Sequence, residues 1–564
     1  MSRRTGLVLF VSFVALFLLL NRGAYRGYFQ ADELDNLAWT PNLPLAHYGL
    51  SVVSPRFEPN NFRPVGHFYF YLCEKLFHLD FPRWVAALQA IHLLNVWLLW
   101  LVLRRLGAPV LASGAACLFY GLHMALFDAM WKPMYVFDVL CGTFCLLAIF
   151  SYRGRRYVSA FVCFWLAYKA KEVAVMLPLV LAAVELWFGS GSWKRRCLTL
   201  APFFLASLSF GLQGLLLNPN QDNDYTFRFT PAALAQTSFF YACRVFLIPY
   251  LGFAVLIAPV FLRNRRAWLG MAAMLALFFP LLFLPGRMYS AYCYVPFIGL
   301  AAVFSVLAER THWVALAAFF LLWGIHDIRL LREDRRATLA LDNEVRQWVT
   351  TLGRYARTAQ KPGAVVYGGE IPGFAAWGEV GAVHYVFRDN NIPVAHADDP
   401  HAGKLRHAPG AITLNWNNGT HNLYIRGAGP EVTAAYIRMD GSEPLDQLLA
   451  GWYGLESDFH WTEPVAVAQF GRPAGANRFE LRVMIGDAQI HTLKTVTIAV
   501  TLDGRELEPR RLSRPGWQTL TWDLPPAPAG TVKVTVTTSP AFHPTGDSRT
   551  LGAAVGGLGF QKQL

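Results

Sequence analysis

Three carboxylates stand close together after the first apolar stretch of the chain. Asp32, Glu33 and Asp35 lie in FQADELDNLAWT, which follows the apolar residues 6–21. Acidic side chains at the end of a membrane helix usually have a function, because their placement there is costly. A carboxylate at this position lies near the lipid surface and is wet enough to accept a proton. The segment is therefore a candidate general base acting on a hydroxyl beside a membrane.

Charged and aromatic side chains recur in four later segments. A transferase acting on a lipid phosphate needs a carboxylate to deprotonate the acceptor and cations to hold the departing phosphate, and these segments supply both types. The candidates are Arg63 in 62–77, Asp128, Trp131 and Lys132 in 122–138, Lys171 and Glu172 in 166–178, and Arg287, Tyr289 and Tyr292 in 286–296.

The composition indicates a polytopic membrane protein that acts outside the cytoplasm. Hydrophobic residues make up 54% of the 564 residues, charged residues only 15%, and the apolar excess ends near residue 328. Basic clusters at every second gap between apolar stretches follow the positive-inside rule, so the net charge of +13 reports topology and not nucleic-acid binding. We predict a multi-pass protein of the cytoplasmic (inner) membrane with an uncleaved signal anchor, its N-terminus inside and its C-terminal region in the periplasm or outside the cell.

The elements that must position these residues are eleven predicted membrane spans. An odd number of spans places the acidic segment, the later polar loops and the tail on the same outer face. The spans are 6–21, 84–103, 109–127, 134–151, 157–169, 173–189, 197–217, 235–262, 267–284, 291–308 and 313–328.

The last 230 or so residues have the composition of an exported soluble region. We predict four parts: a transmembrane catalytic domain over 1–328 with a first outer loop at 22–83, a connecting helix over 329–362, a small α/β or β subdomain over 363–453, and a β-sandwich or jelly roll over 454–564. Alternating apolar strands separated by turns predict this sandwich. Trp461, Trp517 and Trp522 are candidates for stacking on sugar rings, although a Trp in such a strand is more often part of the core.

Five motifs in the first 345 residues resemble the GT-C superfamily of membrane glycosyltransferases, which includes protein O-mannosyltransferases, aminoarabinose transferases and TMTC-type enzymes. Departures from the family pattern leave the subfamily open: His123 is followed by Met where the family has Pro, Ala170 stands for the usual Ser, and the last motif is longer than in the family. In chain order the matches are Asp32-Glu33; Phe62-Arg63-Pro64-Val65; His123, Asp128, Trp131 and Asp138; Ala170-Lys171-Glu172 with Pro178; and Arg287 to Pro296, which is longer than the family turn.

The resemblance implies a sugar donor linked to polyprenyl phosphate and transfer with inversion at the anomeric carbon. Its partners would be that donor, membrane lipid and a protein, lipid or glycan acceptor, with no nucleic acid. Some members use a divalent ion, but the sequence shows no ligand set for one. The tail resembles carbohydrate-binding β-sandwiches. The implied roles are Asp32 as base with Glu33 second; Asp35, Asp128, Trp131 and Glu172 as acceptor or loop support; and Arg63, Lys171, Arg287 and Tyr289 as phosphate ligands.

Simpler interpretations remain open from the sequence alone. The three acids would also suit the first turn of an interfacial helix, where negative charge is favourable, although we favour the catalytic interpretation. Lys171 and Glu172 would also suit a solvated break between two short spans, and Arg63 would reach lipid headgroups. The alternative function is a non-catalytic transporter or glycan-binding scaffold. Transporters usually place charges near the mid-plane and repeat their halves, whereas these acids lie at span ends and no repeat is evident.

Overall fold

A computed structural model describes most of the chain. The described residues are 3–56, 62–217, 223–406, 408–427, 434–440, 447–544 and 546–562, with the side chains of 3–7 and 215 left out. Parts of the predicted loops 22–83 and 218–230 and of the predicted subdomain 363–453 lie outside these residues. Contacts divide the chain into a first unit, Met1–Phe29 with Trp39–Ala340, and a second unit, Gln30–Ala38 with Leu341–Leu564. The domain boundaries predicted above stay a prediction.

The first unit is helical, as its long apolar stretches predict. Apolar residues dominate most of these helices, and five of them have Pro in their first turn, where its missing N–H costs nothing. The helices as far as the unit boundary are α1 Arg3–Asn21, α2 Ala31–Trp39, α3 Leu45–Val53, α4 Pro64–Phe77, α5 Phe81–Arg105, α6 Val110–Leu122, α7 Phe127–Trp131, α8 Val136–Arg153, α9 Tyr157–Ala170, α10 Leu177–Phe188, α11 Trp193–Leu217, α12 Pro231–Val245, α13 Ala254–Leu262, α14 Arg265–Phe278, α15 Pro296–Arg310 and α16 Trp313–Ala356.

The predicted membrane character is confirmed by helix length and composition. Within the described residues, six helices are long and apolar enough to cross a bilayer, or up to seven if the bent pair Val110–Leu122 and Met124–Trp131 is one span. The fifth and sixth predicted spans are short, as expected: α9 has 14 residues and α10 has 12. The chain is a multi-pass membrane protein, and its orientation stays a prediction.

Two helix boundaries differ from the prediction. The predicted single span 235–262 is wrong, because α12 ends at Val245 and α13 begins at Ala254. Leu247 and Tyr250 have positive φ angles of 59° and 63°, and Pro249 between them has no N–H to donate, so a helix cannot continue through this segment. The predicted span 313–328 and connecting helix 329–362 form one continuous helix, α16, which ends at Ala356.

The second unit contains a small α/β layer near its start. Its four-stranded sheet has the order β2-β1-β3-β4, with β1 parallel to both neighbours and β4 antiparallel to β3. The elements are β1 Ala364–Gly368, α17 Ala376–Phe387, β2 Val394–His396, α18 Ala402–Arg406, β3 Ala411–Asn417 and β4 Asn422–Gly427.

The rest of the second unit is the antiparallel β structure that the sequence predicts. Ten strands form one sheet around a core of alternate buried residues such as Phe479, Leu481 and Val483. The sheet also takes in β5 and β6, which precede the predicted boundary at 454. The strands are β5 Tyr436–Arg438, β6 Leu448–Glu456, β7 Phe459–Arg472, β8 Arg478–Ile485, β9 Val496–Leu502, β10 Arg505–Glu506, β11 Arg510–Leu512, β12 Gly516–Asp523, β13 Gly530–Ser539 and β14 Ala554–Gln561, with helix α19 Asp487–Leu493 between β8 and β9.

Candidate functional site

Arg63 and Glu172 join two predicted site segments in the first unit. Arg63 donates a hydrogen bond from Nε to Glu172 Oε1 at 2.7 Å, and its guanidinium lies over the Phe137 ring. Packing around the Glu172 carboxyl opposes its ionisation, but Arg63 outweighs this effect and lowers the pKa of Glu172. The pair is therefore ionised at neutral pH, and because Glu172 keeps 42% of its side chain exposed, it is open on one side.

The local fold explains the position of Arg63. It immediately precedes α4, and its backbone N–H donates to His67 Nδ1 at 2.9 Å, one turn into that helix. The His67 ring stacks on Phe62. Burial is the largest cause that lowers the pKa of His67, to about 3, so its ring is neutral and accepts this hydrogen bond. His67 is thus an interior residue that fixes the start of α4.

Lys171 connects three of the predicted segments. Its Nζ donates to Asp138 Oδ2 at 2.5 Å and also lies 4.2 Å from the centre of the Tyr292 ring. The Asp138 side chain is only 4% exposed and that of Lys171 13%, so this ion pair is buried. Lys171 is extended at the break between α9 and the turn that begins at Glu172. This break lets two neighbouring residues pair with different partners.

Arg287 completes the cluster. It donates from Nη2 to the Tyr292 hydroxyl at 3.2 Å and lies over the rings of Tyr225 and Tyr289. Among the described residues no carboxylate pairs with Arg287, and its buried Nε has no hydrogen-bond partner there. Among the described residues, Arg287 is therefore the cation of this cluster whose charge no carboxylate neutralises. We call Arg63, Asp138, Lys171, Glu172, Arg287 and Tyr292 the charge cluster.

In segment 122–138, the predicted site residues Asp128 and Trp131 both contact other residues of the first unit. Asp128 forms an ion pair with Lys132 at 3.0 Å, one helical turn away. Trp131 is 2% exposed and donates from Nε1 to Asn21 Oδ1 at 2.7 Å. The predicted role of Trp131 in acceptor binding or loop support stays a prediction, and a buried, hydrogen-bonded indole favours support of the loop.

Asp32 and Glu33 belong to the second unit and face different ways. Asp32 is exposed, whereas Glu33 is 2% exposed and accepts a hydrogen bond from the backbone N–H of Gln30 at 3.1 Å. Glu33 therefore caps the first turn of α2, as the simpler interpretation of these acids proposes. Asp32 is the most exposed of the three carboxylates of α2, and Asp35 is half-buried.

Helix α17 packs against α2 through residues that the sequence analysis did not identify. Trp377 donates from Nε1 to Asp32 Oδ1 at 2.7 Å. A Cβ on Gly378 would lie 2.4 Å from Ala31 Cα, and one on Gly381 would lie 2.6 Å from Asp35 Cα, so the two glycines allow the helices to approach backbone to backbone. The spacing of the two glycines is the signal in the sequence that a close helix contact was needed.

The three predicted sugar-stacking residues differ in exposure. Trp522 is 4% exposed, belongs to the core of the sheet and donates to the Glu508 carbonyl oxygen, which favours the alternative that it is a core residue. Trp461 is half-buried. Trp517 is exposed, with the Arg482 guanidinium over its ring at 4.7 Å, and remains a candidate.

The carboxylates of the charge cluster do not fit a metal site. Asp138 and Glu172 each already pair with a cation. Across the described part of the chain, no three His, Cys, Asp or Glu residues stand close enough to hold an ion. The chemistry of these residues is therefore argued without a metal.

Comparisons with known proteins come from solved structures. No family model matches the sequence, and no curated protein does. ArnT from Cupriavidus metallidurans in the apo state matches at 14% identity and a TM-score of 0.44, over 74% of this chain and 94% of ArnT. The same protein bound to undecaprenyl phosphate matches at 14% identity and a TM-score of 0.44, over 73% of this chain and 93% of ArnT. The arabinofuranosyltransferase AftD from Mycobacteria matches at 13% identity and 0.38, over the whole of this chain and 59% of AftD.

ArnT and AftD are both GT-C membrane glycosyltransferases, the superfamily whose motifs the sequence resembles. The likeness is too distant to bring a residue role or a substrate to this chain.

Proposed function

We propose that this protein is a membrane glycosyltransferase that moves a sugar from a polyprenyl-phosphate donor to a hydroxyl acceptor outside the cytoplasmic membrane. One observation carries the proposal: the charge cluster. Residues 63, 138, 171–172 and 287–292 come from four motifs far apart in the chain, and in the first unit they form one connected set of contacts. A transporter or scaffold has no need for these particular motifs to meet.

The proposed reaction assigns a role to the exposed carboxylate. Asp32 takes the proton of the acceptor hydroxyl as the acceptor oxygen attacks the anomeric carbon. The bond from that carbon to the phosphate oxygen breaks, and its electron pair leaves with the polyprenyl phosphate. Attack from the opposite side inverts the anomeric centre. Glu33 serves this step only by holding α2, because its carboxylate caps the helix.

The departing phosphate needs cations that are not fully neutralised. Arg63 and Lys171 are each bound to a carboxylate, whereas Arg287 is bound to a tyrosine hydroxyl. We therefore rank Arg287 first as the phosphate ligand, since its guanidinium has donors to spare and can contact two phosphate oxygens at once. Tyr289, which is 39% exposed beside it, is placed to contact the sugar or phosphate.

The test is consumption of labelled donor by purified protein in liposomes. A panel of polyprenyl-phosphate sugars is supplied with cell-envelope extract as acceptor, and Arg287→Gln is compared with Arg329→Gln, an exposed arginine paired with Glu333 on the surface of α16. We expect turnover of one donor, a rise of at least about tenfold in its KM in Arg287→Gln, as for the loss of a charged hydrogen bond, and no change in Arg329→Gln. If the protein consumes none of the donors in the panel, the alternative function as a transporter or glycan-binding scaffold is favoured.

A further inference from the structure

An apolar cavity of about 190 Å³ lies inside the first unit, apart from the charge cluster. Its walls come from four helices, α1, α6, α7 and α16, and from the turn at Met124. Its walls are mainly aliphatic and thioether side chains, with one phenyl ring. The lining residues are Leu16, Leu20, Asn21, Leu118, Leu122, Met124, Met130, Phe320, Trp323, Gly324, Asp327, Ile328 and Leu331.

Two polar side chains in this wall have hydrogen-bonding capacity to spare. Asp327 is 5% exposed; the backbone of Met124 lies near its carboxyl group, but neither oxygen makes a hydrogen bond of ordinary geometry among the described residues. Trp323 is 8% exposed, and its indole N–H is equally unpartnered there. The two residues are four positions apart on α16, so they lie on the same face of the helix. The third polar side chain of the wall, Asn21, already donates to Phe17 and accepts from Trp131.

Leaving these groups unpaired is costly. A buried polar group that lacks a partner is destabilising, and a buried carboxyl group more so. The numbers of donors and acceptors on each type of ligand show which one could pair with both groups. An ammonium has donors only and would leave the Trp323 N–H unpaired, and a phosphate would bring negative charge to a wall whose lining residues include no Lys or Arg. A hydroxyl accepts from Trp323 and donates to Asp327.

We propose that this cavity binds a membrane-soluble alcohol, with the hydroxyl between Trp323 and Asp327 and the apolar chain among the leucines and methionines. An apolar cavity of about 150 Å³ holds a benzene-sized molecule, so this one takes the end of an alkyl or prenyl chain. The predicted topology places the contributing ends of α1, α6 and α16 at the outer leaflet, where a lipid alcohol can enter. The site is separate from the donor site, because the donor head group is a phosphate, and it stands whether or not the protein is a glycosyltransferase.

Gly324 provides a way to fill the cavity without touching either polar group. It lines the cavity, and a Cβ there would meet no atom within 4 Å. Gly353 lies on the same helix with the same open surroundings but does not line the cavity. Replacing a helical glycine by leucine favours the helix at both positions, so Gly353→Leu is the matched control for Gly324→Leu.

The experiment uses the full chain in nanodiscs and a diazirine-bearing octanol as the photoreactive probe. After irradiation, labelling of α16 peptides is measured by mass spectrometry with octanol, octylamine or octane as competitor. We expect octanol to compete at concentrations at which octylamine and octane do not. Gly324→Leu should reduce labelling at least about tenfold because its side chain fills the cavity, and Asp327→Leu should do so because it removes a buried hydrogen bond to the alcohol, while Gly353→Leu retains labelling.

Three results would overturn the proposal. Equal competition by octylamine would make this a cation site, and equal competition by octane would make it a nonspecific apolar site. Labelling that survives in Gly324→Leu, or that is absent from α16 in the unmodified protein, would show that the cavity takes no alcohol and that water satisfies its polar groups.

Discussion

The buried ion pair of Lys171 and Asp138 allows the structural and catalytic roles of a site residue to be separated. The perturbation is a double-mutant cycle with Lys171→Met, Asp138→Leu and the two combined. Each single change leaves one buried charge without its partner, whereas the double change leaves none. The effects of the two substitutions on the free energy of unfolding should therefore be strongly non-additive.

The magnitude follows from burial and distance. The two groups are 2.5 Å apart, with 13% and 4% of their side chains exposed. Removing one member of such a pair costs about 3–5 kcal/mol, while replacing both by apolar groups is often nearly neutral. At about 2 °C per kcal/mol for a large unit, Lys171→Met should lower Tm by roughly 6–10 °C. The double variant should recover most of this loss.

The assay combines stability with turnover. Thermal unfolding of the purified protein is followed in detergent, and donor consumption is measured in liposomes for the same preparations. If Lys171 also contacts the donor phosphate, the double variant is stable but consumes donor at least about tenfold more slowly than the unmodified protein.

Additive losses of Tm would refute the reasoning on stability, because they would mean that the two groups do not interact in the folded protein. A double variant that is both stable and fully active would refute the role of Lys171 in phosphate binding and leave it a structural residue.

Three further predictions concern Trp377, Glu379 and Arg63. Trp377→Phe removes the hydrogen bond to Asp32 and should lower kcat about tenfold with little change in KM, since the base loses its orientation; an unchanged kcat in steady-state assays would contradict this. Burial is the main cause that raises the pKa of Glu379, to about 8. The folded protein then keeps a proton that the unfolded chain releases, so stability should fall between about pH 5 and pH 8. Glu379→Gln should flatten this slope of Tm against pH, and an unaltered slope would count against it. Arg63→Met should change stability by less than about 1 kcal/mol, because Glu172 is 42% exposed, yet raise the donor KM; a large loss of Tm with normal KM would make the pair structural.

The sequence predicted the architecture well where its patterns are regular. Alternating strands such as 478–485 appear at the predicted residues because one face of each is buried and the other is not. The span predicted at 235–262 was wrong because hydropathy does not register a backbone break, and Leu247 and Tyr250 adopt positive φ angles within an apolar run.

The site was predictable in its residue types but not in its partners. The motifs identified Arg63, Lys171 and Arg287, but pairing with Glu172 and Asp138 depends on how distant helices pack. Asp32 is exposed and Glu33 is buried for a local reason, because a helix points successive side chains about 100° apart. The contact of Trp377 with Asp32 joins residues 345 positions apart, and no local pattern reveals it.

The central claim is that Asp32 is the base of a sugar transfer. The most direct measurement is turnover of labelled polyprenyl-phosphate sugar by Asp32→Asn in liposomes, beside Asp458→Asn, an exposed acid in the turn before β7. We predict that Asp32→Asn retains the Tm and donor binding of the unmodified protein but loses at least about 100-fold in turnover, the usual contribution of a general base, while Asp458→Asn is fully active. Normal turnover by a folded Asp32→Asn protein would contradict the account.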